Sequence, residues 1–200
     1  MGQYRVPMSD LPDPKKKLRT EALARRTALD EAARAAAAAM VAARPFPEPV
    51  SIGAVVAGYA PVRGEFDPRP LMRALAAQGA QLALPVIAGR GQPLSFRHWQ
   101  EGAPLLSGPY GIPQPSDDAA LLVPDIVLVP LAAFDRALHR VGYGGGFYDR
   151  TLAALRAARP VIAAGLAFAV QEVASVPAGA HDVALDFVLT ERETIRAGGR

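Results

Sequence analysis

Short apolar runs alternate along this chain with stretches of helical patterning bounded by Pro, Gly or Asp, and that alternation restricts it to a layered α/β architecture. Residues 51–58 (SIGAVVAG) read as an apolar strand, 68–78 as a helix opened by Asp67 and Pro68, and 81–87 as a second strand. Residues 125–130, 161–166 and 187–190 read as further strands, with a helix over 146–158. Strands that are apolar on both faces need cover on both, so the pattern predicts a mostly parallel sheet with helices on each side, a Rossmann-like three-layer sandwich. Residues 94–99 read as a shorter, more polar strand, and the Pro- and Gly-rich 104–115 as an irregular segment of the kind that often carries function. Two hundred residues, 50% of them hydrophobic, bury one full core, so a single domain is expected.

A helical pair precedes the sheet. Asp13 and Pro14 read as an N-cap and first-turn proline, opening a helix through about Arg25 with Leu18, Ala22 and Leu23 inward. Thr27 reads as the cap of a second helix that ends near Ala43, ahead of Pro45. The expected organisation is a mobile leader over 1–14 and one domain over 15–200. Without cysteine there is no thiol catalysis, thiolate metal site or disulfide framework. No apolar run approaches the roughly 18 residues of a membrane span, and the start of the chain carries no targeting pattern. The expectation is a soluble cytoplasmic protein with no nucleic-acid partner, no membrane association and no obligate protein partner. A net charge of +3 is too mild to choose between small anions and nucleic acid.

Between the strand ending at Pro130 and the helix near Gly146 lies GYGGG, comprising Gly142, Tyr143, Gly144, Gly145 and Gly146. Open α/β sheets place ligands beyond the carboxyl ends of their strands, where this turn is expected. Glycines let backbone amides approach an anion, and the start of the following helix attracts negative charge. Arg140 and Arg150 flank the turn and suit bidentate contact with phosphate. Asp149, one turn into the helix, is placed to hold magnesium against phosphates. The motif lacks both GxGxxG and the Walker lysine, so by itself it is also compatible with a turn that only tightens packing.

Every lysine lies in one run, Lys15, Lys16 and Lys17, in a chain otherwise rich in arginine. In a first helical turn these charges oppose the helix dipole, and a bound anion would relieve the conflict. A solvated charged leader is the plain alternative.

Taken together, KKKLR at 15–19, GEFD at 64–67, AAFDRALHRVGYGGGFYDR at 132–150 and HDVALDFVLTE at 181–191 resemble the 5-formyltetrahydrofolate cyclo-ligase family. The resemblance implies an enzyme with a single catalytic domain. It would use ATP and Mg2+ to convert 5-formyltetrahydrofolate to 5,10-methenyltetrahydrofolate, ADP and phosphate. It assigns ATP contacts to Lys15, Lys16, Lys17, Arg19, Arg140, Gly142, Tyr143, Gly144, Gly145, Gly146, Phe147 and Tyr148. Folate contacts fall to Ala60, Glu65, Tyr143, Gly144, Gly145, Gly146 and Phe147, catalytic roles to Arg140, Tyr148 and Arg150, and the metal to Asp149 and Asp186.

Glu65 is the attractive pterin ligand, because one carboxylate can accept several ring N–H groups. Asp67 reads as a helix-start residue and Asp182 as a turn acid. His98, His139 and His181 have no metal-ligand spacing, and Trp99 reads as packing rather than stacking. Ala169 stands where many family members carry an acid, and Gly64 where bulkier residues are common. Two other readings remain: a sugar-phosphate isomerase or acyl-transferase-like enzyme of similar fold, and a non-catalytic nucleotide- or nucleic-acid-binding module.

Overall fold

In the computed structural model, which describes residues 14–198, the apolar runs form the centre of one large sheet. Its parallel strands are β1 (Val55–Ala57), β2 (Gln81–Val86), β7 (Ile126–Pro130), β10 (Ile162–Leu166) and β11 (Phe187–Leu189). Antiparallel strands close the edges: β3 (Ser95–His98) and β6 (Leu121–Leu122) on one side, β12 (Thr194–Arg196) on the other. The order is β12-β11-β10-β7-β1-β2-β3-β6. Two small hairpins lie apart from this sheet, β4 (Leu106–Ser107) with β5 (Pro113–Gln114), and β8 (Ala133–Phe134) with β9 (Arg140–Val141).

Alternate residues of the central strands feed two separate cores. Val56, Leu82, Leu84, Ile126 and Leu128 pack beneath α2 (Glu31–Ala42) and α3 (Arg69–Ala76). Val55, Ala57, Val127 and Val129 face the other way, toward Leu152 of α4 (Phe147–Ala158). This is the predicted three-layer arrangement, and it explains why the strands show no polar face. From β1 the chain moves outward through α3 to β2, whereas from β7 it moves the opposite way through α4 to β10. The reversal places a topological switch point between β1 and β7, where open α/β sheets bind ligands.

The two N-terminal helices serve different layers. The first, α1 (Pro14–Thr27), rests on the β8–β9 hairpin and on a short turn at Ala169–Gln171, with Ala22 buried against Ala133, Val141 and Val176. The second packs against α3. Thr27 is the last residue of α1 and caps nothing: Asp30 caps α2, accepting the Ala33 amide at 2.7 Å. The shorter Thr27 side chain bonds back to the Leu23 carbonyl, as helical threonines commonly do. At α3, Pro68 occupies the cap position and the Asp67 carboxylate accepts the Arg69 amide at 3.0 Å. Of the expected leader, residues 1–13, including the Asp13 cap, lie outside the described residues, and Pro14 already belongs to α1. No described helix is long and apolar enough to cross a membrane.

Candidate active site

The glycine turn does not follow β7 directly. The β8–β9 hairpin intervenes, and the turn projects from β9 into α4 over the sheet's switch point. Gly144 (φ +94°) and Gly146 (φ +63°) take the left-handed conformation that side chains disfavour. No described residue accepts a hydrogen bond from the amides of residues 143–149, so the turn and the first turn of α4 present a row of unused donors. A Cβ on Gly142 or Gly144 would meet only open space, which leaves the backbone approachable.

Cations reach this row from three elements. From α1, the Arg19 Nε donates to the Gly142 carbonyl at 2.7 Å and Lys15 pairs with Asp182 at 2.5 Å. Asp182 also accepts the Gly179 amide. Although partial burial opposes it, that bond and Lys15 hold its carboxyl below the usual range. From β9, the buried Arg140 pairs with Asp149 at 2.6 Å and donates to the Val183 carbonyl. Burial lowers its pKa, while Asp149 and Asp182 act in the opposite direction. From α4, Arg150 donates to the Gly145 carbonyl and lies over the Phe147 ring. Lys16 and Lys17 are exposed, Lys17 facing Glu21 one turn on, because consecutive helical residues point in different directions. Of the three lysines, Lys15 alone is half-buried, paired with Asp182.

Below the turn opens a cleft of about 920 Å³, bounded by the ends of β1, β2 and β7. Ala60, Glu65, residues 142–150 and Arg140 all line it. The Val62 amide donates to Glu65 at 3.0 Å. Burial nevertheless raises the Glu65 carboxyl above its usual range, against the pull of that amide, Tyr143 and Arg26. Tyr143 is exposed over much of its ring, yet its hydroxyl end is desolvated and pushed well up in pKa; burial does the same to the Tyr148 hydroxyl. Tyr110, from the irregular 104–115 segment, stands edge-on to Phe147 with centroids 6.1 Å apart. An acid flanked by aromatic faces suits a flat heterocycle carrying N–H donors.

The two predicted metal ligands are not brought together. Asp149 lines the cleft; Asp186 lies at the amino end of β11, beyond the cleft lining, pairs with Arg156 at 2.6 Å and accepts the Ala163 amide at 2.7 Å. Arg156 is two turns along α4 from Asp149, so the helix itself separates the two carboxylates. Among the described residues no cluster of three or more His, Asp or Glu side chains could hold a metal ion. Asp149 Oδ1 is occupied by Arg140 and the Val183 amide, leaving Oδ2 to face a ligand. One free carboxylate oxygen beside a row of unused amide donors suits magnesium carried in with a polyphosphate, since that ion is usually held by one or two carboxylates plus phosphate oxygens.

Two residues of the site carry no motif in the sequence. Arg26, buried in α1, donates to Tyr143, and Tyr110 adds an aromatic edge. His139 contacts Asp135 at 3.3 Å, and Trp99 is buried with its Nε1 donating to the Ala103 carbonyl, both packing roles.

Residues 12–191 match the sequence profile of the 5-formyltetrahydrofolate cyclo-ligase family. The chain belongs to this family. A 5-formyltetrahydrofolate cyclo-ligase of Mycolicibacterium smegmatis is 34% identical over 195 residues, covering 93% of this chain and 98% of that protein. The solution structure of the Aquifex aeolicus 5,10-methenyltetrahydrofolate synthetase superposes with a TM-score of 0.74 at 29% identity, over 93% of this chain and 94% of that one. A Mycoplasma pneumoniae 5,10-methenyltetrahydrofolate synthetase shares the fold with a TM-score of 0.69 at 22% identity, over 89% and 99% of the two chains. In this cyclo-ligase family member, Ala169 offers only its amide, which donates to Glu191 at 2.9 Å.

Proposed function

We propose that this chain, with residues 15–200 as its catalytic domain, couples ATP hydrolysis to cyclisation of 5-formyltetrahydrofolate, giving 5,10-methenyltetrahydrofolate, ADP and phosphate. The observation that carries this reading is one cleft holding both a cationic row of unused amides and a buried, aromatic-flanked carboxylate. The first suits a polyphosphate and the second a pterin.

A formamide carbonyl is a poor electrophile, so its oxygen must become a leaving group. In this reading the γ-phosphoryl of ATP passes to the formyl oxygen, and N10 attacks the formyl carbon. The C–O bond then breaks to release phosphate, and N10 loses its proton. The amides of the glycine turn bind the phosphates; Lys15, Arg19, Arg140 and Arg150 neutralise their charge. Magnesium, held by Asp149, would add charge neutralisation at the phosphates. Glu65 orients the pterin, and Tyr110, Tyr143 and Phe147 enclose it, which holds N10 and the formyl group in attacking geometry and excludes water.

The test mixes protein, ATP, magnesium and 5-formyltetrahydrofolate and follows the methenyl chromophore, omitting each component in turn. Product is expected only in the complete mixture; its formation without ATP, or its absence from the complete mixture, overturns the proposal. The orientation of α1 gives a sharper expectation. Lys15→Ala should raise the KM for ATP about tenfold, the scale of one charge-assisted hydrogen bond, and leave the folate KM unchanged. Lys17→Ala should leave both unchanged, and initial-rate titrations of each substrate separate these results.

A further inference from the structure

Four residues of α1 fall along one helix face: Lys15, Arg19, Ala22 and Arg26. Arg19 donates to the Gly142 carbonyl of the glycine turn and Lys15 pairs with Asp182. Arg26, two turns further on than Arg19, is only 4% exposed, and among the described residues no carboxylate pairs with it directly. A buried guanidinium without a counter-ion is costly and needs good hydrogen bonds to persist.

Its bonds join the two walls of the folate subsite. Nη1 donates to the Tyr143 hydroxyl at 2.6 Å, and Nη2 donates to the Arg63 carbonyl at 2.8 Å. The guanidinium carbon also lies 5.9 Å from the Tyr143 ring centroid. Because the phenol oxygen accepts from Arg26, its own hydrogen is left to turn toward the cleft, where Tyr143 and Glu65 are near enough that the tyrosine helps to hold the Glu65 carboxyl down. Arg63 (φ +52°) belongs to the turn in which the Val62 amide holds the Glu65 carboxylate. One side chain thus ties the tyrosine on one wall to the turn that holds Glu65 on the other.

We propose that Arg26 is the positioning residue of the folate subsite, tying the Tyr143 hydroxyl to the Arg63 turn so that the Glu65 carboxylate held in that turn is aimed into the cleft. The proposal rests on the reading of Glu65 as the pterin-binding acid. Since α1 also carries Lys15 and Arg19, one helix then touches both substrate sites.

The consequence is a pH signature that a packing role would lack. The groups facing Glu65 are Arg26 from α1, Arg63 from its own turn, Tyr59 after β1, Tyr143 from the glycine turn and Tyr148 from α4. Removing Arg26 takes away one of the two cations, so Glu65 protonates at higher pH. The acid limb of kcat/KM for folate moves upward with it.

The experiment compares the whole protein with Arg26→Met, Arg26→Lys, Tyr143→Phe and the Arg26→Met, Tyr143→Phe double variant. Arg26→Met should raise the folate KM about tenfold and leave the ATP KM within about twofold, the scale of losing one charged hydrogen bond. Its acid limb should rise by about one pH unit, the lower end of what a neighbouring opposite charge does to a carboxyl. Arg26→Lys should restore the limb. Tyr143→Phe should shift the limb in the same direction, and the double variant should be no worse than the poorer single one, because both act through one chain of bonds.

Additive losses, an unmoved acid limb, or equal effects on the two substrates overturn the proposal. Should Arg26→Met fail to fold, the exposed Tyr143→Phe substitution decides alone, and an unmoved limb there overturns it. If the wild-type protein forms no methenyl product, the reading of the site fails with it; an active wild type with additive variants refutes only the role of Arg26.

Discussion

Arg140→Met should abolish nearly all turnover while leaving a folded protein. Arg140 is buried, pairs with Asp149 at 2.6 Å and also donates to the Val183 carbonyl, at the point where the glycine turn leaves β9. Methionine keeps much of the volume and removes every donor. Asp149 is 29% exposed in its side chain, so it rehydrates rather than remaining a stranded buried charge. The stability loss should therefore be about 2 kcal/mol, below the range for a fully buried pair, or a fall of roughly 6 °C in Tm for a domain of this size. The catalytic loss should be far larger. A preorganised donor facing charge that develops in the transition state is worth about 10² to 10³ in kcat, and loss of nucleotide affinity adds to this in kcat/KM. Thermal unfolding and initial rates measured on one preparation separate the two effects. A rate that falls only in proportion to the unfolded fraction would return Arg140 to a structural role.

The central strands were readable because their burial on both faces writes an uninterrupted apolar run, as at 126–130 and 162–166. The start of α4 was readable for a different reason: four glycines in five residues cannot continue either a helix or a strand without loss. The β8–β9 hairpin went unseen because two-residue strands generate no period. It nevertheless matters, since it lifts the glycine turn off the sheet and supplies Arg140. Thr27 and Asp30 are both chemically competent caps three residues apart, and only the actual end of α1 selects between them.

The site residues show the same division. Lys15 and Arg19, spaced at one helical turn, share a face, from which Arg19 reaches Gly142 and Lys15 reaches Asp182; Lys16 and Lys17 between them point to solvent. The pairing of Asp149 with Asp186 failed because proximity of motifs in a resemblance carries no information about which end of a strand each acid occupies. Asp182 stands near Lys15 and Asp186 beside Arg156, although only three residues separate them, because the chain between them runs alongside α4 past Asp149. Arg26 could have been suspected from helical spacing alone: it continues the Lys15, Arg19, Ala22 face, where a charged residue beside a buried alanine needs a partner. Tyr110 offered no such signal, since its place in the cleft depends on a left-handed backbone (φ +60°) inside an irregular segment.

Glu65→Gln should separate stability from function in opposite directions. Burial raises the folded-state pKa of Glu65 above its unfolded value. An acid of that kind binds protons more tightly in the folded than in the unfolded chain. Its contribution to stability is therefore complete below the unfolded pKa, near 4.5, and is lost as pH rises through the higher folded value. At pH 7 the ionised carboxylate is a net burden on the fold. Glutamine retains an oxygen to accept the Val62 amide and carries no charge to desolvate, so its Tm at pH 7 should equal or exceed that of the wild type. Folate binding should move the other way. Replacing a carboxylate that accepts N–H groups by a neutral amide, which also turns a donor toward them, should raise the folate KM about 30-fold, corresponding to roughly 2 kcal/mol for hydrogen bonds to a charged group. The wild-type enzyme should lose folate affinity as pH falls through the raised pKa, whereas the variant, having nothing there to titrate, should show a flat acid limb. ATP titrations serve as the internal control, because the phosphate-facing amides and Lys15 are untouched. An unchanged folate KM together with a lowered Tm would make Glu65 a structural residue, while the expected combination would mark it as a group whose burial is retained at the expense of stability because the substrate needs it.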